Sequence, residues 1–305
     1  MKTLRFGIEI ETVGLTREAV AKAIAKALGG TAERDPANYD SWLARDAAGR
    51  SWRAVYDGSL TLPNESAEIV SPILTWDDLP KLQEIVRAVR HAGAKVDASC
   101  GIHVHVDAAR FDAKTLGNLA RLVNQQEDLL IAALKIQPAR LMRYTKPMDQ
   151  GFLRRLNEER PQTMAAFNRV WYGREQTRPS HYHDSRYHGL NLHSVWYRGT
   201  IEFRYFEGTL HAGKVKSYVQ LCLALAAKAL SARFALSRKR TVDAAHAKYD
   251  FRVFLLRLGL IGEEFATARY HLLANLEGSG AFRNSARPQR SATAAPAAPD
   301  AGEDR

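Results

Sequence analysis

Two glutamates near the start of the chain are spaced to share one face of a β-strand. Residues 4–12 read LRFGIEIET, in which apolar residues alternate with Glu9 and Glu11. Side chains two positions apart on a strand point to the same side. Two neighbouring carboxylates among apolar residues repel each other and lose hydration, so a cation is expected between them.

Two later segments present polar side chains with the same alternation. CGIHVHVD places His103 and His105 on one face, and TIEFR does the same for Glu202 and Arg204. The segment ESAEIVSP contributes a further carboxylate, Glu68, on another predicted strand. Separate strands therefore deliver carboxylates and imidazoles to one place.

Carboxylates in this number favour a hard divalent cation. Mg²⁺ and Mn²⁺ prefer oxygen ligands, and Mn²⁺ also accepts imidazole. Zinc is disfavoured, because the carboxylates outnumber the histidines and the two cysteines, Cys100 and Cys222, form no spaced cluster. Arg204 adds a fixed cation whose planar fork can hold two phosphate oxygens. A metal beside an arginine indicates phosphoryl transfer.

Each motif also has a purely structural explanation. An E-x-E pair on a strand is most often a solvated face, and E-F-R is equally a cross-strand ion pair. The Asp57-Gly58 dipeptide is typical of a turn. The His103 and His105 pair fits an exposed strand or a zinc hydrolase as well as it fits this cluster. Taken singly, none of these motifs identifies a site.

The strands that must position these groups follow from period-two alternation and turn residues. They are predicted at 4–12, at 95–107, and at 51–71 as two strands around Asp57-Gly58. A further hairpin is predicted at 187–210, turning at Arg198-Gly199.

Helices are predicted at 16–28, between a Thr16 N-cap and Gly29-Gly30, and at 77–92, 116–136 and 214–234, with two more up to 276. The stretch 137–186 is predicted to form loops and short helices that cover the site. Residues 278–305 are rich in Ala, Pro, Arg and Ser and are predicted to be a disordered tail. The domain prediction is therefore one catalytic domain, 1–277, with an excursion at about 137–186 and C-terminal helices at about 214–276.

Composition predicts a cytoplasmic protein that is not embedded in a membrane. The first residues lack the features of a signal peptide, and the longest apolar stretch, 219–230, is too short to span a bilayer. The net charge of +11 suits anionic ligands such as nucleotides. The Lys and Arg residues are scattered, which argues against nucleic acid as the main partner.

The ordered set FGIEIE, DGSL, EIVSP, CGIHVHVD, GLNL and TIEFR resembles the amidoligase family. That family is related to glutamine synthetase and glutamate–cysteine ligase within the carboxylate–amine ligase superfamily. The resemblance spans about residues 4–230. It implies an α+β, glutamine synthetase-like catalytic domain, with a mainly antiparallel sheet and helices packed on one side.

The resemblance also implies roles for individual residues. The expected metal ligands are Glu9, Glu11, Glu68, His103 and Glu202, and Glu65 has less support. Glu202 and Arg204 are the catalytic candidates. ATP contacts are expected from Arg204, from Asn191 in GLNL, and from Arg143 and Lys146 in RYTKPM, where family members often have Cys in place of Thr145. Asp57, Ser59 and His105 are the substrate candidates.

The implied reaction is ATP- and Mg²⁺-dependent formation of an amide, of peptide or isopeptide type, through an acyl phosphate, and Mn²⁺ is the alternative metal. The partners would be a small-molecule or peptide carboxylate and an amine. Two other readings are open. One is a metal-dependent hydrolase that uses His103 and His105, and the other is a non-catalytic module that binds a nucleotide or nucleic acid. The sequence names neither the substrates nor the oligomeric state.

Overall fold

The chain folds around an eight-stranded sheet within residues 1–38 and 40–283, which are the residues that the computed structural model describes. In sheet order the strands run β2, β3, β4, β5, β1, β6, β8 and β7, and every neighbouring pair is antiparallel. Their bounds are β1 Phe6–Val13, β2 Ala32–Arg34, β3 Trp42–Arg45, β4 Ser51–Val55, β5 Ser66–Val70, β6 Gly101–Asp107, β7 Leu190–Asn191 and β8 Thr200–Glu207.

Helices cover one face of this sheet. Phe6, Ile8 and Ile10 of β1 belong to one large apolar core that also contains side chains of eight of the described helices. The helices are α1 Arg17–Leu28, α2 Leu79–His91, α3 Ala113–Leu134, α4 Pro138–Arg143, α5 Gln150–Glu159, α6 Met164–Tyr172, α7 His193–Tyr197, α8 Ala212–Ser231, α9 Ala247–Arg257 and α10 Ala266–Leu273. The α+β class and the antiparallel sheet are thus confirmed.

Helix α1 begins and ends where the sequence predicts. The Thr16 side chain accepts a hydrogen bond from the Ala19 amide, and Gly29 ends the helix in the left-handed region at φ 73°. Glycine adopts that conformation without the steric cost that a side chain adds. The strong capping signals explain why this boundary could be read from the sequence.

The predicted hairpin at 187–210 is wrong in its connection. β7 pairs with β8, but β7 has only two residues, and the chain then forms α7 before β8 begins at Thr200. The Ser194 amide donates to Asn191 Oδ1, and the Trp196 ring stacks on Phe167. Local hydrogen bonding and packing against α6 therefore override the β propensity of the segment.

The structure bears on several other predictions. The excursion at 137–186 contains α4, α5 and α6, and the short strands β2, at the edge of the sheet, and β3 beside it were not predicted. Cys100 and Cys222 are buried free thiols. Of the described helices, none has both the length and the apolarity to cross a bilayer. Of the tail predicted at 278–305, residues 284–305 lie outside the described residues.

A fully buried carboxylate ties the helical layer to the sheet. Both oxygens of Glu127, in α3, accept hydrogen bonds from the Met148 amide, at 2.9 and 3.0 Å, and the Tyr205 hydroxyl of β8 donates at 2.8 Å. Burial raises the pKa of Glu127, although these donors act against the shift. One side chain thus holds α3, β8 and the segment after α4 together.

We expect Glu127→Ala to lower the free energy of unfolding by about 2–4 kcal/mol, because two buried donors lose their acceptor. Urea denaturation would measure this. Asp128→Ala is the matched control: Asp128 is the next residue, its side chain is 47% exposed, and its ion pair with Lys239 is worth less than about 1 kcal/mol. Equal effects of the two substitutions would contradict the anchoring role.

Candidate active site

The face of the sheet opposite the helices carries the predicted polar residues. In the register of β5, β1 and β6, Glu11 lies opposite Glu68 on one side, and Glu9 lies opposite His103 on the other. Directly opposed residues of antiparallel strands bring their side chains into contact range. The pairing therefore assembles four of the predicted metal ligands across three strands.

Strands β6, β8 and β7 extend this polar face. His105 lies opposite Glu202, and Glu202 lies opposite Asn191. The register shifts between Ile102 and Val104, where β8 contains one extra residue. Such a bulge re-aims side chains. Arg204 lies within it and reaches back to Glu202.

Glu9 is the hub of the cluster. Its Oε2 lies 3.1 Å from His103 Nδ1 and 3.4 Å from His105 Nε2, and its Oε1 accepts a hydrogen bond of 2.8 Å from Arg198 Nη1. Burial alone would raise the pKa of Glu9. The two imidazoles reverse this and hold the pKa well below its usual range. These contacts therefore favour the ionised form of Glu9.

Glu202 is held by two donors. Arg204 Nη1 donates to Oε1 at 2.5 Å, and Asn191 Nδ2 donates to Oε2 at 2.6 Å. Burial acts to raise the pKa of Glu202, but Arg204 and the two histidines lower it to about 2. These contacts fix the orientation of the carboxylate.

Glu11 and Glu68 have fewer hydrogen-bond donors and cations around their carboxylates. Glu11 accepts a hydrogen bond of 2.5 Å from the Gly101 amide, and Glu68 accepts none from any described residue. Burial raises the pKa of Glu68 well above its usual value, and the charges of Glu9, Glu11 and Asp57 add to the effect. The protein therefore offers this end of the cluster too few donors and cations to keep all of its carboxylates ionised together.

The donor set fits hard divalent cations. Ligand atoms lie within 4.8 Å of one another in three groups: Glu9, Glu68 and His103; Glu9, His105 and Glu202; and Glu11, Asp57 and Glu68. The Nε2 atoms of His103 and His105 are buried without a hydrogen-bond partner. A buried polar atom without a partner is costly, and a bound cation would use its lone pair. Predominantly carboxylate groups favour Mg²⁺ or Mn²⁺.

A cavity of about 500 Å³ opens over these carboxylates. Of the predicted substrate residues, Asp57 and Ser59 line it, and Asn191 lines a smaller adjoining cavity with Glu9 and Glu202. Arg143 and Lys146 have exposed side chains and line neither cavity. Their proposed contact with ATP therefore stays a prediction. Glu65 is exposed and also lies outside both cavities.

Sequence reasoning missed several cavity residues, most of them outside the sheet. Arg140 and Tyr144 lie beside the predicted RYTKP element, and Arg198 lies where a hairpin turn was predicted. Four more come from the loop before β7: His181, Tyr182, Arg186 and Tyr187. Loop residues have no periodicity to reveal which way they point. Their one signal is the density of Arg, His and Tyr in this stretch of sequence.

Comparison with known proteins identifies a family that the chain matches over most of its length. The model of a family described as "Putative amidoligase enzyme" matches residues 2–226, which contain every residue of the cluster. No curated protein matches the chain. The matched region ends within α8, so α9 and α10 lie beyond it.

We expect Glu68→Gln to stabilise the metal-free protein, by on the order of 1 kcal/mol, because burial and the neighbouring carboxylates disfavour the ionised form of Glu68 and an amide removes that cost. The same substitution should reduce the stabilisation that Mg²⁺ or Mn²⁺ gives. Thermal unfolding with EDTA and with each metal would test both effects.

Glu65→Gln is the matched control, since it removes the same charge three residues away, outside the cavity. If Glu68→Gln left metal stabilisation at the level of the control, Glu68 would not be a ligand.

Proposed function

The chain belongs to the amidoligase family, and from this premise we propose that it is an ATP-dependent carboxylate–amine ligase. The proposed product is an amide of peptide or isopeptide type, formed through an acyl phosphate. We also propose that the antiparallel sheet is the glutamine synthetase-like fold. Two free cysteines fit the predicted cytoplasmic location.

The carboxylate and imidazole cluster at the base of the cavity is the observation that supports this proposal most. Its three overlapping groups of ligand atoms would suit more than one divalent cation, which is an arrangement suited to a nucleoside triphosphate. Arg198 and Arg204 stand at its edge, where they would contact the same anionic ligand. Phosphoryl transfer depends mainly on such positioning and charge stabilisation.

The proposed reaction has two steps. A carboxylate oxygen of the acid substrate attacks the γ-phosphorus of ATP, the bond to the β,γ-bridging oxygen breaks, and ADP leaves. The amine nitrogen then attacks the acyl carbon, phosphate leaves, and the nitrogen gives up a proton. Bound magnesium would neutralise the phosphate oxygens in the first step.

The protein's own residues would hold the reactants and limit water. Glu9, Glu11, Glu68, His103 and Glu202 are the proposed ligands. Arg198 and the two imidazoles fix Glu9, while Asn191 and Arg204 fix Glu202, so the donor set is oriented before ligands bind. The loop at 181–187 closes one side of the cavity and would exclude water from the acyl phosphate.

The group formed by Glu9, His105 and Glu202 also fits a metal-dependent hydrolase. A hydrolase would use water as the nucleophile and would need no nucleotide. The two functions therefore differ in a directly measurable requirement.

We expect the full chain to release ADP and phosphate, with Mg²⁺ and ATP, for some pair in a panel of carboxylates and amines. With an ¹⁸O-labelled carboxylate, one labelled oxygen should appear in the released phosphate, because the acyl phosphate passes that oxygen to phosphorus. Release of AMP, or amide hydrolysis without nucleotide, would overturn the proposal.

We expect Glu9→Gln and Glu202→Gln each to lower this turnover by about 100-fold or more, since each removes a charge that orders the cluster. Glu159→Gln, on the exposed end of α5, should keep full activity. Unchanged turnover and unchanged Mg²⁺-dependent ATP binding in both cluster variants would place the site elsewhere.

A further inference from the structure

Arg140 is a buried cation that the proposed reaction does not use. It lies in α4, its relative exposure is 6%, and its side chain lines the large cavity. The amide of Gln137, which precedes α4, donates to Glu207 Oε1 of β8 at 2.8 Å, and this bond ties the helix to the sheet. The helix that carries the Arg140 side chain is therefore fixed relative to the sheet.

Gly101 makes room for the guanidinium. A Cβ atom at this position would lie 1.8 Å from Arg140 Nη2 and 2.6 Å from its Cζ. Any other residue at the start of β6 would therefore displace the arginine. The sequence thus keeps a glycine where the guanidinium passes over the strand toward the cavity.

Few acceptors among the described residues contact the guanidinium of Arg140. Arg140 Nε is buried without a hydrogen-bond partner, and Nη1 makes a long contact of 3.4 Å with the Cys100 carbonyl oxygen. Within the described part of the chain, no carboxylate forms an ion pair with it. Burial lowers the pKa of Arg140, and the more distant charge of Glu11 acts against this shift. An unpaired buried charge is costly, so an anion is expected beside it.

The neighbouring arginines of the cavity are already engaged. Arg204 donates to Glu202 and to the Tyr144 carbonyl oxygen, and Arg198 donates to Glu9. Arg186, the other arginine of the cavity, is only partly buried and lies over the rings of Tyr182 and Tyr187. Arg140 is buried, and no carboxylate among the described residues pairs with its charge. It is therefore the arginine best suited to an anion that comes with the substrate.

We propose that Arg140 binds a second carboxylate of the acid substrate, one that does not react. This inference rests on the proposed function. A carboxylate held by an arginine fork would be a poor nucleophile, so the reacting carboxylate belongs at the metal cluster and the other at Arg140. Ser59, Ser99 and Tyr144 add neutral hydroxyl groups to the cavity. The substrate class is therefore a dicarboxylic acid, or an amino acid or peptide with a second free carboxylate.

The test compares diacids with their monoamides. Succinate, glutarate, adipate, L-aspartate and L-glutamate are each paired with the monoamide that replaces one carboxylate, and ADP release gives kcat/KM with Mg²⁺, ATP and ammonium. We expect the wild type to prefer the diacid by about 10- to 100-fold, the usual value of a charge-assisted hydrogen bond. Arg140→Met should abolish the preference and leave the Kd for Mg²⁺-ATP unchanged.

Two further variants separate the charge from its position. Gly101→Ala keeps the arginine but displaces it, and should lose the preference as Arg140→Met does. Arg154→Met removes the same charge from an exposed position on α5 and should retain the preference. Circular dichroism and thermal unfolding would show that each variant is folded.

Three results would overturn the inference: no preference in the wild type, an unchanged preference in Arg140→Met, or a Kd for Mg²⁺-ATP that rises together with the loss. The last result would show that the Arg140 guanidinium binds a phosphate group of ATP.

If no acid supports ADP release, the proposed function fails, and thermal unfolding with glutarate and with glutaramate then tests whether Arg140 binds a second carboxylate. A rise in Tm with glutarate alone, lost in Arg140→Met, would support the inference, and equal shifts would overturn it.

Discussion

Repulsion between carboxylates on one face of the sheet is the constraint on which the rest of the structure depends. Glu9, Glu11, Glu68 and Glu202 project from three strands toward two adjoining cavities, and Glu9 lines both of them. Like charges at such distances oppose folding unless cations or donors offset them. Glu9 and Glu202 are offset by imidazoles and arginines, whereas Glu68 has no donor among the described residues. The charges on this face are therefore not fully offset without a bound ligand. The free energy that stabilises the fold must come from the opposite face of the sheet.

The opposite face supplies that stability through apolar packing. The core that joins β1 to the helices contains the largest buried side chains of the protein, and it is independent of the charges on the other side. The alternation of β1 makes this separation possible, because one strand contributes Ile8 and Ile10 to the core and Glu9 and Glu11 to the cavity. A shift of register by one residue would exchange the two faces, so the same pattern also fixes the pairing.

The sequence predicted the parts of the site that follow from this alternation. The alternation of side chains along a strand placed Glu9 on the same face as Glu11, and His103 on the same face as His105. The resemblance to the family brought these strands together in one site. This alternation could not predict which residues of the irregular segments reach the cavity. Arg198 was read as a turn residue, because nothing in its sequence context shows that α7 precedes it and turns its side chain toward Glu9. The same limit applies to Arg140, whose role depends on the position of α4 and on Gly101, which lies far from it in the sequence.

The irregular segments matter because they bring cations to a sheet that has mainly acidic groups. Arg204 belongs to the sheet, but Arg140, Arg186 and Arg198 come from elements that pack on its edge or over the cavity. Their positions depend on a few hydrogen-bonded links: Glu207 holds the start of α4 near the surface, and the buried Glu127 holds the segment after α4 and the bulge that contains Arg204. Each link joins a carboxylate that is not part of the cluster to backbone or hydroxyl donors. Acidic residues thus serve two separate purposes in this fold, since one set creates the charge of the cavity and another fixes the arginines that balance it.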